Sequence, residues 1–233
     1  VDHWLDATAG ARVGPRLRDD PHPPISARLL LEAYASGIFP MADSATSDQI
    51  FWVDPKTRGI VPLDGLHVSK SLRKRLRRKD YQVTQNHRFL DVVRACVDRE
   101  DTWINAEILS LYQDLHRGGY AHSVEVWMDG ALAGGLYGVA LGGAFFGESM
   151  FSRRTDASKI ALVYLVARLR EGGFKLLDTQ FVTDHLATMG AIEISSAEYH
   201  RRLDAALGCP ADFWRHPTNL DGQSTLQLIT QTS

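Results

Sequence analysis

Two short segments of this 233-residue chain carry carboxylates where strand-forming apolar residues are expected. In A-F-F-G-E-S-M-F-S (144–152), strict alternation puts Phe145, Gly147, Ser149 and Phe151 on one face and Phe146, Glu148 and Met150 on the other. A lone buried charge is costly, so Glu148 either faces solvent at a sheet edge or lines a polar site. In L-L-D-T-Q-F (176–181), Leu176, Asp178 and Gln180 share one face while Leu177, Thr179 and Phe181 share the other. Such a polar rung either caps a neighbouring helix or performs chemistry, and the segment alone does not decide. Ser149 is not a hydrolase nucleophile, because Gly147-Glu148-Ser149-Met150-Phe151 lacks the final glycine of a strand-to-helix nucleophile elbow.

A third feature is electrostatic. The chain is nearly neutral, with a formal charge of -2, yet Lys70, Arg73, Lys74, Arg75, Arg77, Arg78 and Lys79 fall within ten residues that contain no acid. Such a run is either a solvated helix face or a phosphate-binding patch. Cys96 and Cys209 are far apart and outside any C-x-x-C or His/Cys pattern, which predicts neither a disulfide framework nor a structural zinc site and fits a reducing compartment. Val1 to Asp20 mixes charges among apolar residues, so neither a secretory leader nor a membrane span is expected.

The elements that must position these residues are legible in part. The Pro-rich opening to Pro24 reads as irregular or extended chain. Ser26 reads as the N-cap of a helix through Leu29, Leu30, Leu31 and Tyr34 that stops at Gly37, with loop to about Ile60. The basic segment, 68–79, is expected to be helical on Leu72 and Leu76. Two amphipathic helices follow, one with Phe89, Val92, Val93, Cys96 and Val97, the next with Ile108, Leu111, Tyr112 and Leu115, both read as core packing. From Ala121 the period changes to strand, with Asp129-Gly130 as a type I′ turn in an antiparallel meander. A buried helix from Ala157 to Arg170, a strand, a short helix, a second strand and a capped helix from Ser196 to Leu207 complete the pattern. The tail from about 217 is expected to be polar and loosely held. The order after Ala121 predicts an α+β domain with a mixed sheet, preceded by a smaller, mainly helical region.

Along residues 26–207 these pieces resemble the leucyl/phenylalanyl-tRNA–protein transferase family. The matching stretches are L-L-L-E-A-Y-A-S-G-I-F-P-M from Leu29, D-P-K-T-R-G-I-V-P-L-D from Asp54, H-V-S-K-S-L-R-K from His67, T-W-I from Thr102, A-H-S-V-E-V-W from Ala121, G-G-L-Y-G from Gly134, G-E-S-M-F-S from Gly147, A-S-K from Ala157, D-T-Q from Asp178 and M-G-A-I-E-I from Met189. The resemblance implies a smaller N-terminal domain, 1–62, before an acetyltransferase-like (GNAT-like) catalytic domain, 63–233, and transfer of Leu, Phe or less often Met from aminoacyl-tRNA to proteins with N-terminal Arg or Lys, marking them for degradation in the N-degron pathway. It implies no metal or nucleotide cofactor. Asp178, Gln180 and Glu148 map onto the family's catalytic groups, Phe145, Met150, Leu136 and Leu177 onto its aminoacyl pocket, and Trp52 and Trp103 onto tryptophans near the terminal adenosine. The basic run is then expected to hold tRNA, in a cytoplasmic enzyme that works as a monomer. Phe51 where a second tryptophan is common, Asp156 where Asn is usual and Leu136 where Met occurs depart from the family pattern. The alternatives are an acetyl-CoA-dependent N-acetyltransferase, whose Gly-containing pyrophosphate loop is missing from R-R-T-D-A-S-K (153–159), and a non-enzymatic RNA-binding protein, which needs no polar face at Glu148, Asp178 and Gln180.

Overall fold

The computed structural model describes residues 12–13, 25–42, 50–98, 106–217 and 220–230. Arg12–Val13 (β1), Phe39–Ala42 (β2) and Ile50–Val53 (β3) form a small antiparallel sheet in the order β1-β3-β2. Between β1 and β2 lies α1, Ala27–Ala35, whose N-cap Ser26 accepts a hydrogen bond from the Leu29 amide as expected. Its end at Gly37, with φ 79°, is a conformation that a side chain disfavours.

The larger sheet has seven strands in the order β10-β4-β9-β8-β7-β6-β5. In chain order these are β4 (Thr57–Ile60), β5 (Gln82–Gln85), β6 (Ala121–Met128), β7 (Ala131–Leu141), β8 (Ala144–Ser152), β9 (Leu176–Gln180) and β10 (Ile192–Ser195). The expected meander is β6-β7-β8, and its first turn has both Asp129 and Gly130 at positive φ. Among the described strands only β8 and β9 run parallel, joined by the buried helix Ala157–Glu171, which makes the sheet mixed. The loop expected up to Ile60 instead contains β2, β3 and β4, and the expected boundary at residue 62 falls after β4, already inside the large sheet. These strands are four residues each, too short for a clear alternation.

Helices cover both faces. α2 (Lys70–Leu76) is shorter than the expected 68–79 and is anchored by the buried Leu72 and Leu76, whose burial contributes roughly 1.5–3 kcal/mol each and offsets an otherwise charged surface. α3 (Phe89–Val97) and α4 (Ala106–Arg117) join α1 and α7 (Ser196–Leu207) on one face. On the other lie α2, α5 (Ala157–Glu171), the short α6 (Asp184–Ala187) and α8 (Gly222–Thr230). The tail expected to be loose is thus partly α8, which buries Thr225 and Leu226, while Arg168 donates to the carbonyls of Phe213, His216 and Pro217 and fastens the chain that leads to it.

Strict alternation in β8 is broken. Tyr137 pairs with Ser149 and Gly138 with Gly147, so Glu148 is the extra residue of a β-bulge. Phe145 and Met150, assigned to opposite faces by a period of two, therefore enter the same core, against α5, and Phe146 and Phe151 enter the other. Asp156, before α5, has φ 66°, a conformation that Asn and Asp tolerate best among non-glycine residues, so Asp in place of the usual Asn keeps the backbone intact.

Candidate active site

The ladder between β8 and β9 runs from Ala144–Leu176 to Phe146–Asp178 and ends there, while the end of β9 turns to β4 by pairing Gln180 with Gly59. Past that point the two parallel strands are no longer paired, which leaves an opening in the ladder. Glu148 stands on one side of the opening, two residues beyond Phe146, and Gln180 on the other, two residues beyond Asp178. Gly59 is required for the close approach of β4, because a Cβ there would lie 2.6 Å from the backbone carbon of Phe181.

Asp178 is completely buried. Its Oδ1 accepts from Arg58 Nε at 2.9 Å and from the Gln180 backbone amide at 2.8 Å. Oδ2 accepts from Arg58 Nη2 at 2.6 Å and from the Tyr199 hydroxyl at 2.8 Å. A carboxylate offers about four acceptor sites, and these donors occupy all of them. Burial opposes the charge of Arg58, but the Asp178 carboxylate outweighs it and holds the guanidinium firmly protonated; burial and the same carboxylate raise Tyr199 and keep it a donor. Gln180 sits at the left-handed φ of 57°, with its side-chain Nε2 buried and without a hydrogen-bond partner among the described residues. Asp178 faces inward onto the protein and Gln180 carries the free polar group.

Glu148 is clasped by two tyrosines. Tyr34 of α1 donates to Oε1 at 2.7 Å, Tyr112 of α4 donates to Oε2 at 2.6 Å, and the two hydroxyls are 2.8 Å apart. Three close oxygen–oxygen contacts need three protons, and two tyrosines beside an ionised Glu148 supply only two. A protonated Glu148 completes the ring, one tyrosine then accepting from the carboxyl and donating to the other hydroxyl. The carboxyl is accordingly pushed up to about 7, by burial first and by the charge of Asp178, with the two tyrosine hydrogen bonds and Arg58 holding it down. Both tyrosines are raised well above their usual range by burial and by Glu148, so they remain donors.

The structure therefore brings Glu148, Asp178 and Gln180 together and adds Arg58, Tyr34, Tyr112 and Tyr199, which sequence reasoning passed over. Arg58 had a signal, since a buried acid in L-L-D-T-Q requires a cation and T-R-G-I places one in a strand. Tyr34 and Tyr112 were read as packing residues, and only their hydroxyls distinguish them. Leu136, Phe145, Met150 and Leu177 are brought together on the other face: Leu136 pairs with Met150 and Phe145 with Leu177. Trp52 is half-buried in β3, opposite Pro40. Trp103 lies outside the described residues.

Of the basic run, Lys70, Arg73, Lys74, Arg77, Arg78 and Lys79 are exposed, whereas Arg75 is bound by Asp80 and lies over the Tyr81 ring at 5.3 Å. His122 is a packing residue: stacked on Phe213 at 4.0 Å, it is lowered to about 4 by burial and stays neutral.

The sequence pattern of a family described as leucyl/phenylalanyl-tRNA protein transferase matches residues 60–204, and that of the family's N-terminal domain matches residues 24–56. The leucyl/phenylalanyl-tRNA–protein transferase of Ruegeria sp. (strain TM1040) is 62% identical over 209 residues, covering 90% of this chain and 99% of the relative. The chain belongs to the leucyl/phenylalanyl-tRNA–protein transferase family. It is an aminoacyltransferase. A second transferase of this name, from Paramagnetospirillum magneticum, is 59% identical over 199 residues, covering 84% of this chain and 95% of that one. Among solved structures, FemX aligns with a TM-score of 0.49 at 12% identity, covering 74% of this chain and 68% of that one. An aminoglycoside acetyltransferase aligns with a TM-score of 0.36 at 14% identity, covering 53% of this chain and 87% of that one. Among the described residues no helix is long and apolar enough to cross a membrane.

Proposed function

We propose that this transferase moves Leu, Phe or Met from aminoacyl-tRNA onto the α-amino group of proteins beginning with Arg or Lys, as a cytoplasmic monomer in the N-degron pathway, and that the opening between β8 and β9 is where the bond forms. The observation that carries this reading is the Gln180 Nε2, buried and without a hydrogen-bond partner among the described residues, on the strand whose ladder with the Glu148 strand ends at Asp178.

The acceptor amine attacks the carbonyl carbon of the ester, the bond to the ribose oxygen breaks, and a peptide bond replaces it. An α-amino group has a pKa of about 8, so roughly a tenth is already neutral at pH 7 and a strong base is unnecessary. Holding amine and ester together supplies much of the rate. Gln180 Nε2 is a donor that lacks an acceptor among the described residues, which suits the oxygen on which negative charge grows. Glu148, with its carboxyl near 7, takes the proton that the attacking amine must lose and returns it to the departing ribose hydroxyl. When deprotonated it also holds the positive terminus of the acceptor. Asp178 serves by orientation, since its acceptor sites are occupied by protein.

Leu136, Phe145, Met150 and Leu177 are the proposed aminoacyl pocket, Trp52 and Trp103 the flank of the terminal adenosine, and the exposed residues of 70–79 the tRNA contact. No metal or nucleotide cofactor enters the scheme. The test is to incubate the protein with labelled leucyl-tRNA and a peptide beginning with Arg, and in parallel with labelled acetyl-CoA. Label is expected on the peptide from leucyl-tRNA only; acetyl transfer without leucyl transfer overturns the proposal.

A further inference from the structure

Arg58 is 1% exposed, and its guanidinium lies between the rings of Phe39, 4.5 Å to the centroid, and Tyr199, 4.4 Å. All three of its nitrogens are directed. Nε and Nη2 grip Asp178, and Nη1 donates to the Gly37 carbonyl at 2.9 Å. Gly37 ends the turn after α1, three residues from Tyr34, which holds Glu148. One planar cation thus touches both halves of the opening: the helix end behind Glu148 and the aspartate behind Gln180. Asp178 in turn fixes the Gln180 backbone N–H two residues on, and so the backbone that carries the side-chain amide, in a left-handed conformation that costs a glutamine energy unless something holds it.

We infer that Arg58 and Tyr199 are positioning residues for the transfer step, setting the Gln180 amide against Glu148 through Asp178. This rests on the reading of Gln180 and Glu148 given above. A lysine would keep the charge of Arg58 but not the fork that meets both carboxylate oxygens and the Gly37 carbonyl at once. Removing the Tyr199 hydroxyl would free Oδ2 of one donor while leaving both rings and both charges in place.

The test measures kcat, KM for aminoacyl-tRNA and melting temperature in Tyr199→Phe, Arg58→Lys and the double variant Arg58→Gln with Asp178→Asn. Tyr199→Phe is expected to lower kcat roughly 3- to 10-fold and Arg58→Lys on the order of 100-fold, each with KM within about twofold, the signature of a contact realised only in the transition state. The double variant leaves no unpaired buried charge, so its melting temperature should return toward that of the parent while kcat stays low. Recovery of kcat in step with the melting temperature would show a purely structural ion pair and overturn the inference. A loss confined to KM would do the same. Should the Arg58 variants fail to fold, Tyr199→Phe decides alone, and parental kcat there overturns it. Gln180→Ala separates the two levels: parental kcat in that variant defeats the reading of the site itself, whereas a defective Gln180→Ala beside fully active Tyr199→Phe and Arg58→Lys defeats only the positioning role.

Discussion

The face of the large sheet covered by α1, α4 and α7 and the face covered by α5 share their strands but hold different residues. Against α5, Leu136, Phe145 and Leu177 are fully buried apolar side chains, with Met150 half-buried beside them. On the other face the same strands carry Glu148 and Asp178, and six buried or half-buried side chains, these two with Arg58, Tyr34, Tyr112 and Tyr199, answer one another, while Gln180 is held through its backbone N–H alone. The bulge at Glu148 makes the division possible, because it moves Met150 to the apolar side without moving Phe145. The contrast teaches that the apolar face takes its stability from area and tolerates exchange of similar volumes, whereas on the polar face each group depends on a specific partner.

The comparison is broken most severely at Gln180. Gln180→Ala removes a buried donor that has no partner among the described residues and leaves the apolar face untouched, so kcat should fall by ~10²-fold or more with KM for aminoacyl-tRNA nearly unchanged. Steady-state kinetics on a folded variant checks this, and parental kcat would reduce Asp178 and Gln180 to a structural rung.

Glu148→Gln should reveal the cost of the polar face. The folded carboxyl is raised from 4.5 to about 7, so between these values the native state keeps a proton that the unfolded chain has released. Stability therefore falls as pH rises through this window, and the whole loss is present above it. The upper limit of that loss is about 3 kcal/mol. Glu148→Gln should be more stable than the parent at pH 8 and similar at pH 4, while losing transfer activity and the rise of kcat with pH near 7. Thermal melts and a pH–rate profile measure both; a variant less stable at pH 8 would mean that Glu148 is not under strain.

The same contrast explains what was readable in the sequence. Glu148 and Asp178 stood out because a carboxylate among strand-forming apolar residues violates a local pattern. Their partners obeyed theirs: Tyr34 lies 114 residues from Glu148, Arg58 lies 120 from Asp178, and on its own segment neither residue is anomalous. Long helices, the meander and the later strands β9 and β10 followed from the sequence pattern, but β2, β3, β4 and β5 did not; in β2 and β4, Pro40 and Gly59 weaken a strand pattern. A bulge leaves no mark in composition at all, which is why alternation alone misplaced Met150. Helix α8 was passed over because Leu226, Leu228 and Ile229 sit in an otherwise polar stretch whose packing surface, α5, is supplied by distant sequence.

A smaller effect is expected on the apolar face. Met150 is half-buried and adaptable, so Met150→Ala should enlarge the pocket without collapsing the core and move the preference from Leu toward Phe by about tenfold, within the 1–3 kcal/mol that an apolar pocket distinguishes. Donors carrying Ile or Val, branched at Cβ, should remain poor. Competition between charged tRNAs gives the ratio, and an unchanged ratio would remove Met150 from the pocket.

The smallest effect belongs to the basic run, and it sharpens the comparison by extending it to a region where charges face water. Lys70, Lys74 and Arg77 are exposed, and each phosphate that such a group neutralises releases condensed counterions, so tRNA affinity should fall steeply with salt. Replacing the three by Ala should raise KM for aminoacyl-tRNA several-fold and flatten the salt dependence, with kcat unchanged on a minimal aminoacyl-adenosine donor that lacks the acceptor stem. Arg75 differs although it belongs to the same run. Its guanidinium is tied to Asp80, lies over Tyr81 and reaches the Met128 sulfur, so it is engaged by protein as the groups around Asp178 are. Arg75→Ala should therefore lower the melting temperature and leave the salt slope where it was. A slope reduced by Arg75→Ala as much as by Lys74→Ala would place Arg75 on the tRNA, and equal loss by the triple variant on the minimal donor would take the whole run out of tRNA binding.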